Sequence, residues 1–161
     1  VVVNTPGFGS YVTDFHDSVP ILWTLSQPYG ARDWWPSFQT LGYKSDTTVI
    51  DITCPTMNSR GDSQTAVSNG LLVSKSHRPD TTSRFIYQTN FKTAPYLIAI
   101  AVTNFKQAND TLRTTQGPLL NETFYYPEDT LFYQRRLENL QGFFDVFENQ
   151  KNKVLKIRIK D

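Results

Sequence analysis

The chain has 161 residues, 39% hydrophobic and 14% aromatic, which is enough to fill the core of one domain and excludes a disordered polymer. Sixteen Lys and Arg against fifteen Asp and Glu leave a formal net charge of +1, so no electrostatic footprint for nucleic acid or an anionic membrane is present. Cys54 is the only cysteine and His16 and His77 the only histidines, far apart and in no His-x-x-x-His pair, which excludes an intrachain disulfide and a thiolate zinc site and argues against a catalytic metal site built from this chain alone.

Residues 1–10 carry neither a basic n-region nor a long apolar h-region, so no signal peptide is read there. Residues 20–25 (Pro-Ile-Leu-Trp-Thr-Leu) predict a strand. Residues 47–53 are rich in β-branched side chains and stop at Cys54-Pro55, as a strand running into a turn does. Residues 66–73 hold Asn69-Gly70 in their middle, and that dipeptide predicts a tight hairpin of two short strands. Residues 83–89 alternate apolar and polar. Residues 96–102 (Tyr-Leu-Ile-Ala-Ile-Ala-Val) form a continuous apolar run that predicts a central strand buried on both faces. The longest apolar stretch, 94–102, is about half of the roughly 20 residues that a membrane helix needs. Residues 124–126 predict a further strand, and the polar stretches 56–63 and 105–116 predict exposed loops.

The texture changes after Pro127. Glu128 and Asp129 stand where a helix start favours acids. Tyr133, Leu137, Leu140, Phe144 and Phe147 then recur at spacings of four and three, an apolar stripe on one helix over 130–150. Residues 154–160 mostly alternate and predict a lysine-protected edge strand. The predicted fold is therefore mainly β, a saddle-like or sandwich domain of mostly antiparallel strands with one C-terminal helix. A boundary is expected at residue 127, separating 1–127 from 128–161.

Most local motifs have an ordinary explanation. Arg60-Gly61-Asp62 matches an adhesion tripeptide, but three residues match often by chance. Asn109-Asp-Thr111 and Asn121-Glu-Thr123 fit the glycosylation acceptor pattern. His77 reads as a solvated turn residue and His16 as a loop histidine. Cys54 has no adjacent base to lower its pKa. Gly7, Gly9 and Gly70 match no phosphate-loop pattern. One segment is unusual: Leu22-Trp-Thr-Leu-Ser-Gln-Pro-Tyr-Gly-Ala-Arg-Asp-Trp-Trp-Pro36, in which tryptophans, prolines and a glycine bracket Gln27, Tyr29, Arg32 and Asp33. It is either a buried aromatic corner or a rigid loop presenting Gln27 and Tyr29 to a ligand.

That segment, together with Pro6-Gly-Phe-Gly9, Val67-Ser-Asn-Gly70, Tyr96-Leu-Ile-Ala-Ile-Ala-Val102 and Phe124-Tyr-Tyr-Pro127, resembles the aminopeptidase N family of zinc metallopeptidases (gluzincins), in particular its Bacteroidetes-like members. The order and spacing of the motifs carry the resemblance, which runs from Gly7 to about Gln150. Ser37-Phe-Gln39 departs from it, since many members have Cys and an acid there.

The resemblance implies the N-terminal β-domain of a zinc aminopeptidase. The family's zinc motif, His-Glu-x-x-His, and its Gly-x-Met-Glu-Asn motif belong to a separate catalytic domain, and neither occurs in this sequence. No catalytic residue and no metal ligand are therefore expected in the chain, and zinc is expected only in that catalytic domain. The helix of 130–150 would be the catalytic domain's first, and residues 151–161 do not match the family's next segment. Gln27 occupies the position whose side chain, in the family, accepts a hydrogen bond from the substrate's free α-amino group. The implied partners are the N-terminus of a peptide substrate and the catalytic domain of the same polypeptide, with no nucleic acid and no membrane. A periplasmic or secreted location is implied as well. The alternative is a stand-alone β-sandwich module that uses its Trp-rich loop to bind carbohydrate or protein.

Overall fold

The structure, a computed structural model, describes residues 11–27, 29–38, 40 and 42–158. The chain is mainly β, with nine antiparallel strands and one C-terminal α-helix among the described residues, and it divides into two compact units, Val1–Asn104 and Phe105–Asp161. No helix among the described residues is long and apolar enough to cross a membrane. The Pro6 to Gly9 motif lies outside the described residues.

The first unit holds two sheets. One is four-stranded, built from β1 (Tyr11–His16), β2 (Val19–Thr24), β7 (Ile100–Thr103) and β4 (Thr65–Ser68) in that spatial order. The other runs β3 (Thr48–Pro55), β6 (Thr82–Thr89), β5 (Leu71–His77). Between the sheets Ile52, Cys54, Ala66, Phe85, Tyr87 and Val102 form the buried core, with Leu22, Ile50 and Ile100 packed against it. Strand β6 shows why residues 83–89 alternate: Ser83, Phe85, Tyr87 and Thr89 are buried while their neighbours are only half-buried. The Tyr87 hydroxyl donates to the Ala66 carbonyl at 2.9 Å, tying β6 of one sheet to β4 of the other.

Two turns correct the sequence reading. Asn69-Gly70 does not make a hairpin, because β4 pairs with β7 and β5 pairs with β6, so the dipeptide carries the chain from one sheet to the other. A type I′ turn needs positive φ at both central residues, and here only Gly70 has it, at +94°. That sign pattern occurs instead at Asp17 and Ser18, with φ of 46° and 65°, which join β1 to β2 in a two-residue hairpin. The apolar run 96–102 is also only partly strand. Pro95–Leu97 forms a 3-10 turn and the ladder begins at Ile100, because a proline at the turn's start pre-sets that conformation.

In the second unit, residues expected as loop form a long ribbon. Strand β8 (Lys106–Thr114) pairs with β9 (Gly117–Tyr125), closing over Thr115 and Gln116 with Gly117 at φ +115°. The ribbon is too polar to read as strand, and Leu112 is its one fully buried side chain among the described residues. A 3-10 turn, Pro127–Asp129, then leads into α1 (Thr130–Arg158). Gln141 of α1 donates to the Arg113 carbonyl at 2.9 Å and accepts from the Arg113 amide at 2.8 Å, and Glu148 accepts from the Thr115 amide at 3.0 Å. Of the predicted stripe, Tyr133 is buried and stacks on Tyr125 at 4.4 Å, Leu140 and Phe144 are half-buried, and Phe147 is exposed. The Leu137 side chain lies outside the described set.

Residues 154–158 continue α1, where alternation predicts an edge strand. A strand gains its hydrogen bonds only from a neighbour, whereas a helix supplies its own. Residues 159–161 lie outside the described ones.

Candidate functional site

The Trp-rich segment leaves β2 at Thr24 and turns within a few residues. Ser26 is 2% exposed, and its carbonyl accepts the Gly30 amide at 2.8 Å, which closes a loop around Gln27. A 3-10 turn, Ala31–Asp33, comes next, with Ala31 buried and its carbonyl accepting from the Trp35 amide at 3.2 Å. Trp34 Nε1 donates to Ser26 Oγ at 2.8 Å, and Ser26 Oγ donates to the Ile98 carbonyl at 3.2 Å. The Trp34 and Trp35 ring centroids lie 6.0 Å apart. Both rings are half-buried, and Trp34 is committed to Ser26, so these tryptophans brace the corner and do not form a flat exposed platform.

Gln27 is exposed at the turn, and among the described residues its side-chain amide has no hydrogen-bond partner. Its carbonyl oxygen is free to accept from an outside donor, and an ammonium is the donor that makes such a bond strongest. Tyr29 is exposed on the same loop. Pro28 lies outside the described residues.

Three motifs far apart in sequence meet on one short backbone stretch. Asn69 Nδ2 donates to the Leu97 carbonyl at 3.0 Å, and Asn69 Oδ1 accepts the Ala99 amide at 2.8 Å. Ser68 Oγ donates to the Ala99 carbonyl at 2.7 Å. Ser26 takes the Ile98 carbonyl, and Thr24 Oγ1 accepts the Ile100 amide at 3.0 Å. The Ser-Asn-Gly corner and the Gln27 loop thus grip residues 97–100 from two directions. Sequence reasoning named all three motifs, but it did not foresee Asn69 as a backbone clamp, because the Asn-Gly hairpin signal outweighed any sign of a side-chain role.

The remaining candidates have structural roles. In the Arg60-Gly61-Asp62 turn, Asn58 Oδ1 accepts the amides of both Arg60 and Asp62 at 2.9 Å, the Asp62 carboxylate takes Asn58 Nδ2, and Arg60 reaches the Asp17 carbonyl at 3.2 Å. Both charged side chains are thus engaged within the unit. His77 Nδ1 lies 2.8 Å from Ser83 Oγ, which lies 2.9 Å from Thr56 Oγ1. Ser83 is 1% exposed on a strand, unavailable as a nucleophile. Cys54 lines an apolar cavity of about 470 Å³ with Phe15, Leu22, Ile52 and Val102, and burial pushes its thiol up, away from the reactive thiolate. Asn109 is exposed on β8, whereas Asn121 is half-buried on β9 with its amide on Thr123 Oγ1 at 3.1 Å.

No protein-family model matches the chain, and no curated protein matches it. Solved structures do. The crystal structure of an M1 zinc metallopeptidase from Deinococcus radiodurans superposes with a TM-score of 0.63 at 14% identity, covering 76% of this chain and 26% of that one. A point mutant of the Deinococcus radiodurans enzyme bound to a Tyr-Ser-Ala substrate gives the same values. So does a two-domain M1 zinc metallopeptidase mutant bound to L-tryptophan. The fold of this chain is therefore one found within M1 zinc metallopeptidases, and the chain spans about a quarter of the length of the structures it matches.

Proposed function

We propose that this chain is the non-catalytic N-terminal module of a zinc-dependent aminopeptidase resembling aminopeptidase N, in particular its Bacteroidetes-like members. On this reading it supports the catalytic domain and contributes Gln27 to recognition of the substrate's free α-amine. The observation that carries the reading is Gln27 itself: an exposed amide, unbonded among the described residues, on a corner held at Ser26 by Trp34, Ile98 and Gly30. Because the corner's backbone is already held, binding an ammonium has only the Gln27 side chain left to order. The fold likeness to metallopeptidases supports the same reading.

Zinc, on this reading, is held outside the chain, where it would polarise the scissile carbonyl and activate water. Among the described residues His16, His77 and Cys54 do not come together as one ligand group. His16 ends β1 in one sheet, His77 ends β5 in the other with Nδ1 on Ser83, and Cys54 is a buried thiol.

Sequencing the coding DNA downstream of the chain in its source genome tests the proposal. A His-Glu-x-x-His motif within the next hundred or so codons supports it. An open reading frame that continues into an unrelated domain, or a stop codon with no such motif in any downstream frame, overturns it in favour of a stand-alone module.

A further inference from the structure

We propose that Trp34 is a positioning residue for Gln27, acting through Ser26, and this rests on the reading of Gln27 as the amine acceptor. Ser26 Oγ has one proton, which it gives to the Ile98 carbonyl at 3.2 Å. Its lone pair is then what Trp34 Nε1 needs at 2.8 Å, so the two bonds require each other's direction. The Ser26 carbonyl takes the Gly30 amide at 2.8 Å. Ser26 is therefore fixed through side chain and backbone, and at 2% exposure no water can replace a lost partner. Gln27 is the next residue, exposed and without a bond of its own among the described residues. The backbone from which its side chain leaves is held by Ser26, and Ser26 is held by the indole N–H.

The test uses the whole 161-residue chain, with amide hydrogen exchange and 15N relaxation. Trp34→Phe keeps an aromatic ring and removes the donor. It should lower protection of the Gly30 amide by about three- to tenfold and lower the Gln27 backbone order parameter from a rigid value near 0.85 toward about 0.6. Amides of Ile52 and Phe85 should keep their protection. Ser26→Ala should give the same local loss, and the double variant no more than either single change, because one path carries both. A Gln27 that stays rigid in both single variants overturns the proposal, as do losses that add in the double variant. The amine role is read separately, by kcat/KM of Gln27→Ala in a full-length enzyme carrying this module. If that variant stays within about twofold of the parent, the amine reading fails while the positioning result stands on the relaxation data.

Discussion

Asn69 and Ala99 are joined side chain to backbone across 30 residues of sequence, Asn69 Oδ1 accepting the Ala99 amide at 2.8 Å while Asn69 Nδ2 donates to Leu97 at 3.0 Å. The side chain thereby supplies the pairing that the stretch before β7 lacks. Asn69→Ala should cost about 1–2 kcal/mol in urea unfolding, since it leaves a donor and an acceptor unpaired. Asn69→Asp keeps the acceptor for Ala99 but sets a carboxylate oxygen against the Leu97 carbonyl, so it should cost at least about as much as the alanine change. A loss below about 0.3 kcal/mol for the alanine variant would show that water replaces the clamp freely.

Gly70 and Gly61 both sit at positive φ, +94° and +84°, but only one has a neighbour in the way. A Cβ on Gly70 would lie 2.3 Å from the Gln88 carbonyl oxygen and 2.8 Å from the Thr89 amide nitrogen, all backbone of β6, whereas a Cβ on Gly61 meets nothing within 4 Å. Gly61→Ala should cost about 1–2 kcal/mol, from left-handed strain alone. Gly70→Ala should cost more than about 3 kcal/mol, because β6 must shift as well. Equal losses by chemical unfolding would contradict this.

The contrast between those glycines also marks where sequence was informative. Strands β3 and β6 were legible because Ile50, Ile52, Phe85 and Tyr87 recur with period two and bury on one face. The Asn69-Gly70 dipeptide misled because turn chemistry is local, and the choice between a hairpin and a crossover was made by β6, whose backbone lies against Gly70. Strand β8 was hidden by its polarity: Lys106, Gln107, Asn109 and Arg113 are exposed, and pairing with β9 holds them extended. At the candidate site the Trp-rich composition pointed to Gln27. The grip of Ser26 on Ile98, 72 residues away, left no local signal.

Asp51 on β3 faces Arg84 on β6, whose Nε lies 2.9 Å from Oδ1 and whose Nη2 lies on Oδ2. The Arg84 hydrogen bonds hold the Asp51 carboxyl below its usual range, opposed by burial and aided by the charges of Arg84 and Arg78. Because the folded value is the lower one, the pair contributes fully above the unfolded carboxylate value of about 3.9, and the contribution is lost as pH falls through the folded value. Both side chains are more than a third exposed, so screening keeps the effect small. Asp51→Asn should lower Tm by less than about 5 °C at pH of about 7, and the gap to the unmodified chain should close below pH of about 3.9. A gap that widens on acidification would reverse the assignment.

The role of Gln27 is tested most directly by kcat/KM for an aminoacyl-anilide in a full-length enzyme carrying this module. A charge-assisted hydrogen bond to the α-ammonium is worth about 1.5–3 kcal/mol, or roughly a 10- to 150-fold change in kcat/KM. Gln27→Ala should lower kcat/KM by that factor with zinc content and fold unchanged, and Gln27→Glu should retain or raise it, since a carboxylate is the stronger acceptor. If Gln27→Ala stays within about twofold of the parent, a change of under about 0.5 kcal/mol, the loop is an aromatic corner alone and the amine-recognition role is wrong.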